Sequence, residues 1–574
     1  MIRSSARLDN LQNMARNPSV VMAPEELGTA RQTRHSFSRA LVRHAVRDGW
    51  IVTTRKWELD EKGKGTAIYS VNFGNEVAEL VIFSHVIDEE MRNDRVIAQD
   101  WDVTAALVLG HVTDDHLLQL SENVKKQEDG RADSKTLIWS RANRSERFFE
   151  YIVECLKAGK QPESQKMSES AYILRSTAFY GNGKFGMKDF DGLGDDHPLA
   201  TPYRMQMLAA WLMRDFGADL VNHCAKANSD SAASLDPNWR RYLGLGNATG
   251  LGMVPYPIRH PQVLDAWVAL RELPLTNALQ QSWAPDSAEL QRLIQLLNRA
   301  KTYFSEKVKL ETAPYPSGPI LSGKLEKILN CALEFQNHST MLNESVTLPG
   351  KRLHEIALAD SIELRQIVDS ILIELDGSID AEIEKILICT DRTYLEPDMD
   401  IEVLKKIVES VYRWVDNFNF ENKKETSKFW FYSQNNQEPR RGLRKRGNSP
   451  VTEHPVGVAL DVWKLNRDLA SCAPGEKVGA FIASHPEHWG IIERIQSVSN
   501  LPYAEAHINP LAEDFVPLDL QRFQLAIYGM ENFNPQSTDW LRVTLYQGAP
   551  IVSDLRNKES KDDWLFMPKP TGVL

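Results

Sequence analysis

The sequence predicts a helix-rich α+β protein with an N-terminal antiparallel sheet region, a helical middle and a C-terminal mixed α/β region. Three observations carry that prediction. Before residue 110, segments rich in β-branched and aromatic residues follow an amphipathic helix and are separated by glycine-containing turns. From Leu264 to about Arg413, apolar residues recur at helical spacing. Near the end, Asp539–Gln547 (DWLRVTLYQ) alternates apolar and polar residues, as a half-buried strand does.

In chain order, residues 1–30 begin with Arg3, Ser4, Ser5, Arg7 and Arg16 and lack a sustained amphipathic pattern, so they read as a disordered or partner-contacting arm. Residues 31–165 form an α+β region. Thr33–Arg47 is a predicted helix with Phe37, Leu41 and Val42 on one side. Trp50–Trp57, Thr66–Phe73, Val77–Ile87 and Val96–Leu109 are predicted strands, turning at Lys62-Gly63-Lys64-Gly65 and Gly74-Asn75. Helices are expected over Asp114–Lys126 and Ser140–Leu156. Residues 166–312 hold a strand at Tyr172–Tyr180 and a helix capped by Thr201 with Pro202 at its first position. The helical region 313–430 contains Lys324–Phe335, Arg352–Leu375 and Ile401–Val415, following a helix at Ser287–Val308, with no repeated period. In 431–574 the pattern gives strands at Lys477–Ile482, Pro502–Ile508 and Asp539–Gln547, with helices at Pro486–Val498 and Leu518–Ile527.

The chain has 574 residues and a net charge of -11, with 42% hydrophobic and 25% charged residues. Such length favours about two to four folding units. The acidity disfavours a general phosphate-backbone binder, so nucleic acid is not the expected partner. Cys155, Cys224, Cys331, Cys389 and Cys472 are scattered and odd in number, which reads as reduced thiols and a cytoplasmic location. No apolar run approaches the ~20 residues of a membrane span, so a soluble chain without a membrane partner is expected. The sequence is compatible with an oligomer.

The most unusual text is Trp239–Trp267, where Gly244, Gly246, Gly250 and Gly252 precede Pro255, Pro257 and Pro261. Glycine there permits close approach of a ligand or of another part of the protein, and the stretch is expected to be a loop. It is not a dinucleotide-binding loop, because no apolar strand precedes it and the prolines delay the helix. Asn247 within it could contact a substrate. Arg259 and His260 would lie at the N-terminus of a helix started by Pro261.

No hydrolase elbow, zinc-protease motif or paired Cys/His spacing is present, and no cofactor is indicated. The remaining clusters are local. Lys184 stands on a glycine-rich loop and could hold a carboxylate or phosphate. Asp189 to His197 offers oxygen and nitrogen ligands to a divalent metal, a disfavoured option because adjacent residues rarely converge on one ion. Asp398, Asp400 and Glu402 are explained by the start of a helix. Five of the seven residues Arg440–Arg446 are basic, and Arg440 suits an anionic ligand. Glu505 and His507, two apart in an expected strand, would share a face and could work as an acid–base pair. Near them, His485 and His488 flank Pro486 and Glu487.

The expected function is that of an enzyme acting on a small anionic metabolite by acid–base chemistry, of lyase or hydrolase type. His260, Glu505 and His507 are its expected proton carriers. Lys184, Asn247, Arg259 and Arg440 are its expected substrate contacts. The rivals are a non-catalytic subunit or scaffold, and a nucleic-acid binder resting on Arg31–Arg47 and Arg440–Arg446.

Overall fold

A computed structural model describes residues 6–87, 101–123, 135–168, 170–181, 193–194, 196–250, 255–307, 318–337, 348–387, 393–417, 419, 430–432, 439–441, 455–505, 517–535, 540–557 and 564–570. The chain opens with short helices α1 (Ala6–Met14), α2 (Pro18–Val21) and α3 (Pro24–Gly28), then α4 (Phe37–Arg47). Strands β1 (Ile51–Leu59), β2 (Gly65–Asn72), β3 (Val77–Ser84) and β4 (Val103–Leu109) follow, then α5 (Asp114–Asn123), β5 (Thr136–Arg144), α6 (Phe149–Lys157) and β6 (Tyr172–Gly181). Next come α7 (Arg204–Asn228), α8 (Pro237–Tyr242), β7 (Gly244–Gly250), α9 (Pro255–Arg259) and α10 (Pro261–Leu279). The helical middle is α11 (Ala288–Glu306), α12 (Gly318–Asn337), α13 (Pro349–Asp360), α14 (Ile362–Leu375), α15 (Asp380–Ile386) and α16 (Ile401–Val411). The chain continues through β8 (Trp430–Tyr432), β9 (Pro439–Arg441), α17 (Pro455–Leu469), α18 (Val478–Ser484), α19 (Trp489–Val498), α20 (Pro517–Tyr528), β10 (Met530–Pro535) and β11 (Trp540–Leu545). The α+β, helix-rich class is as the sequence predicts.

Two compact units are woven from distant segments. One comprises Met1–Ala30, Gly250–Asn277 and Ser378–Gln524; the other comprises Arg31–Thr249, Ala278–Gly377 and Leu525–Leu574.

In the second unit, nine strands form one sheet in the order β1-β2-β3-β4-β5-β6-β7-β11-β10. The run from β1 to β6 is antiparallel, and β7 joins β6 in parallel. Strands β3 (VAELVIFS) and β4 (VTAALVL) are buried almost throughout, because both faces of the sheet are covered. On one face Val81, Phe83, Ala106, Val108 and Trp139 pack with Val112 and Leu120. The other face receives α7, whose Gly217 lets the Leu174 side chain of β6 come close. Helices α11 to α14 build a separate core from residues such as Leu293, Leu297, Leu325, Leu353, Ile367 and Ile371. In the first unit, α16 to α19 enclose Ile401, Leu404, Tyr412, Val462, Phe481 and Ile492.

Several expectations are corrected. Residues 6–14 form a helix, and Arg7 and Arg16 are bound internally: Arg7 donates to Ser378 Oγ (2.8 Å), and Arg16 grips Glu272 (2.8 and 2.7 Å). Ser140–Leu156 is not one helix, since its first residues complete β5. The helix expected at Pro202 begins at Arg204, because Tyr203 takes a left-handed backbone (φ 58°) that cannot continue into it. Arg352–Leu375 breaks at Ser361, whose hydroxyl caps α14. Lys477–Ile482 becomes helix α18 rather than a strand. Pro502–Ile508 is no strand over its described part, because 502–505 are turn and bend.

Within the glycine stretch, Gly244–Gly250 is strand β7 rather than the expected loop, and Gly252 lies outside the described residues. A Cβ at Gly246 would lie 2.4 Å from the Tyr172 ring of β6, and one at Gly244 would lie 2.9 Å from the Leu545 carbonyl of β11. These two glycines admit neighbouring strands.

Candidate functional site

The site in the first unit grows from the junction of α9 and α10. Pro261 opens α10, and His260 is the joint: its N–H donates to Tyr256 O (3.1 Å), and its carbonyl accepts from Leu264 N (3.0 Å). The His260 and Tyr256 rings lie 4.6 Å apart. One turn into α10, the half-buried Asp265 accepts the Tyr503 N–H at 2.8 Å. Burial pushes the Asp265 carboxyl up to about 7, against the lowering effect of that single main-chain donor. No other described group donates to this carboxyl.

Arg494 of α19 ties this junction to the loop after α19. Its Nε donates to Glu505 Oε1, and its Nη2 donates to Ile258 O at 2.7 Å. Tyr412, at the C-cap of α16, faces the same pair. Burial, with Glu505 beside it, pushes the Tyr412 phenol well above its ordinary range. Its buried hydroxyl faces the Arg494 guanidinium and the Glu505 carboxylate.

Two turns beyond Asp265, Glu272 is fully enclosed. Burial opposes its ionisation, but Arg16 and then Arg271 outweigh it and hold the carboxyl below its usual range. Arg271 Nε donates to Glu272 Oε1 at 3.0 Å. The Tyr503 hydroxyl donates to Arg16 O at 3.3 Å, so the loop carrying Tyr503 also touches the N-terminal segment.

Of the residues expected from sequence, His260 and Glu505 belong to this unit, and Arg494 links Glu505 to the Ile258 carbonyl, two residues before His260. Glu505 does not project from a strand beside His507, as expected; it is half of an ion pair with Arg494. His507 and Lys184 lie outside the described residues, as do the side chains of Arg259 and Arg440. Arg440 pairs with Phe431 in the β8–β9 hairpin. Asn247 belongs to β7 in the other unit, where its side-chain amide donates to Ser176 O at 3.2 Å. Asp265, Arg494 and Tyr412 were not singled out from the sequence, where nothing separates them from ordinary helix residues.

Other polar features are already engaged. In the second unit a groove of about 730 Å³ is lined by Trp57, Asp219, Asn222, His223, Lys226 and Arg240 among others. Trp57 Nε1 donates to His223 Nδ1 (3.2 Å), so His223 Nε2 donates to Asp60 O (2.8 Å). Asp219 accepts from Tyr69 and pairs with Arg240 (2.7 and 2.9 Å). Arg31 and Arg39 are buried against Glu363 and Glu374, which spends both guanidinium groups on the interior rather than on a phosphate-reading surface.

For a metal, the described residues Asp468, Glu487 and His488 place ligand atoms within 4.8 Å of one another. Their oxygen and nitrogen donors suit a first-row divalent ion, although His488 Nε2 is bonded to Asp468 at 2.7 Å. In the Asp189–His197 stretch, His197 pairs with Glu76; Asp189, Asp191 and Asp195 lie outside the described residues.

Among the described residues no helix is long and apolar enough to cross a membrane. Comparison with known proteins finds no matching family model, no matching curated protein and no matching solved structure.

Proposed function

We propose that this protein is an enzyme acting on a small anionic metabolite, bearing carboxylate or phosphate, by acid–base chemistry of lyase or hydrolase type. Asp265 is its proton-transfer group. The observation that carries the reading is a half-buried carboxyl with one main-chain donor and no cation beside it, so that it exchanges its proton near neutrality. General acid–base catalysis is most effective when the group's pKa lies near the working pH. His260, at the start of the same helix, is the second proton carrier. Arg259 and His507 are proposed to complete the site, from their places next to His260 and two residues past Glu505. The four described cysteines are free thiols, which supports a reducing, cytoplasmic setting.

Thermal-shift screening of the full chain against small carboxylates and phosphate esters at pH 6 and pH 8, followed by turnover assays on whatever binds, tests the proposal. Asp265→Asn is expected to fold, bind and lose turnover. Full turnover in both Asp265→Asn and His260→Ala would sink the assignment.

A further inference from the structure

Four residues of α7, Asp219, Asn222, His223 and Lys226, recur at helical spacing (i, i+3, i+4, i+7) and so share one face of the helix. That face lines the groove of about 730 Å³ in the second unit. A second wall comes from β1, an edge strand of the nine-stranded sheet. Its lining residues Thr54 and Trp57 are three apart, a spacing that sends side chains to opposite faces of a regular strand. The register slips between them: Thr54 pairs with Tyr69, Lys56 with Ile68 and Trp57 with Ala67. Arg55 is therefore the extra residue of a β-bulge, and the bulge brings Trp57 round to the face of Thr54, where it meets His223 of α7.

The bonds made by the lining residues fix these walls without filling the groove. The Trp57 N–H is spent on His223 Nδ1 (3.2 Å), so what the indole offers a ligand is carbon surface. A third wall, residues 234–237, is fastened from two sides. Asn222 Oδ1 accepts the Leu235 N–H (2.7 Å), while Gln161 accepts the Asp236 N–H (2.8 Å) and donates to the Ser234 carbonyl (2.8 Å). Hydrogen-bonding capacity remains on every side. The Asn222 amide nitrogen and the exposed Lys226 ammonium have no partner among the described residues. Asp219 and Asp236 keep carboxylate lone pairs beyond those used by Tyr69, Arg240 and the Asn238 N–H.

We propose that this groove binds a neutral oligosaccharide, one sugar ring lying on Trp57 and its hydroxyls reaching the carboxylates of Asp219 and Asp236 and the donors of Asn222 and Lys226. The site belongs to the second unit and stands independently of the acid–base reading. Charge narrows the ligand first. Lys226 and Arg240 balance Asp219 and Asp236, so a strongly ionic ligand meets a like charge whichever its sign. Hydrogen bonding narrows it further, because a hydroxyl donates and accepts at once and can serve a wall that mixes carboxylates with N–H groups. The C–H face of a sugar ring is apolar and covers an indole whose polar end is already taken. The volume falls within the ~300–1,000 Å³ of small-molecule sites, and walls fixed before binding spare the cost of ordering them.

Isothermal titration of the full chain with maltotriose, cellotriose, mannotriose and N-acetylated chitotriose, and with succinate and spermidine as charged controls, tests the proposal. At least one trisaccharide is expected to bind with a Kd below about 1 mM, and neither control to bind. Trp57→Ala should weaken that trisaccharide by at least about ten-fold, and Asn222→Ala by about three- to ten-fold. Should Trp57→Ala fail to fold, Lys226→Glu, at an exposed position, must lower affinity by at least about five-fold. Absence of binding by all four trisaccharides would overturn the proposal. So would affinity unchanged in Lys226→Glu and in folded Trp57→Ala, or binding of succinate or spermidine that these variants abolish.

Discussion

Two carboxylates stand seven residues apart on one face of α10, and the two ends of that face treat them differently. Glu272 is enclosed and gripped by Arg16 and Arg271, and it stays ionised below its usual range. Asp265 meets only the Tyr503 N–H, and burial pushes it up to about 7. Its position near the N-terminus of α10 should favour the anion, but that effect is worth about 0.3–1 kcal/mol. That is too little to offset the desolvation that pushes the carboxyl up to about 7. What separates the two groups is the presence of a guanidinium within reach. The first arrangement holds structure, and the second keeps a proton available.

The comparison can be broken at either end. The largest effect is expected at Glu272. Arg16→Met removes its two-pronged partner and should destabilise the first unit by about 3 kcal/mol, read from urea unfolding. An unchanged midpoint would show that Arg271 alone suffices. Next is turnover: Asp265→Asn should lower it by about 100-fold at unchanged substrate affinity, once a substrate is in hand. A smaller and opposite effect is expected on stability. The unfolded chain releases the Asp265 proton above about pH 4, whereas the folded protein keeps it to about pH 7. The native state therefore binds the additional proton in that window, and stability falls as pH rises through it. Asp265→Asn should remove this slope and stabilise the protein at pH 8 by roughly 2 kcal/mol, allowing for partial exposure. The smallest effect belongs to Tyr503→Phe. It deletes the bond to Arg16 O, costs about 0.5–1 kcal/mol and should lower the Asp265 midpoint as water reaches the carboxyl. A midpoint that stays near 7 would place the loop's anchor elsewhere.

The parts legible in the sequence are those decided locally. Strands β1 to β4 carry β-branched runs bounded by turn residues, and α11 begins where Ser287 offers a cap, its hydroxyl accepting from Leu290 N. The misread parts depend on distant neighbours. Strand β7 is spelled with glycines that make sense only once Tyr172 and Leu545 press against them. The join of β5 to α6 was hidden because Phe148, Phe149, Ile152 and Val153 extend a helical pattern backwards over a strand. At the site, the prolines around Arg259 and His260, and the Glu505 region, are legible in the sequence. The link from Glu505 to the Ile258 carbonyl is made by Arg494, an ordinary residue on an ordinary helix. Asp265 was silent for the same reason: its proton affinity comes from a loop more than two hundred residues away that supplies one N–H and excludes water.

The most direct test is to follow the side-chain carboxyl of Asp265 by carbon NMR across pH 3 to 9, with Asp265→Asn identifying the signal. A midpoint near 7 is predicted. A midpoint near 4 would contradict the account, because Asp265 would then be an ordinary anion with no proton to give at neutral pH.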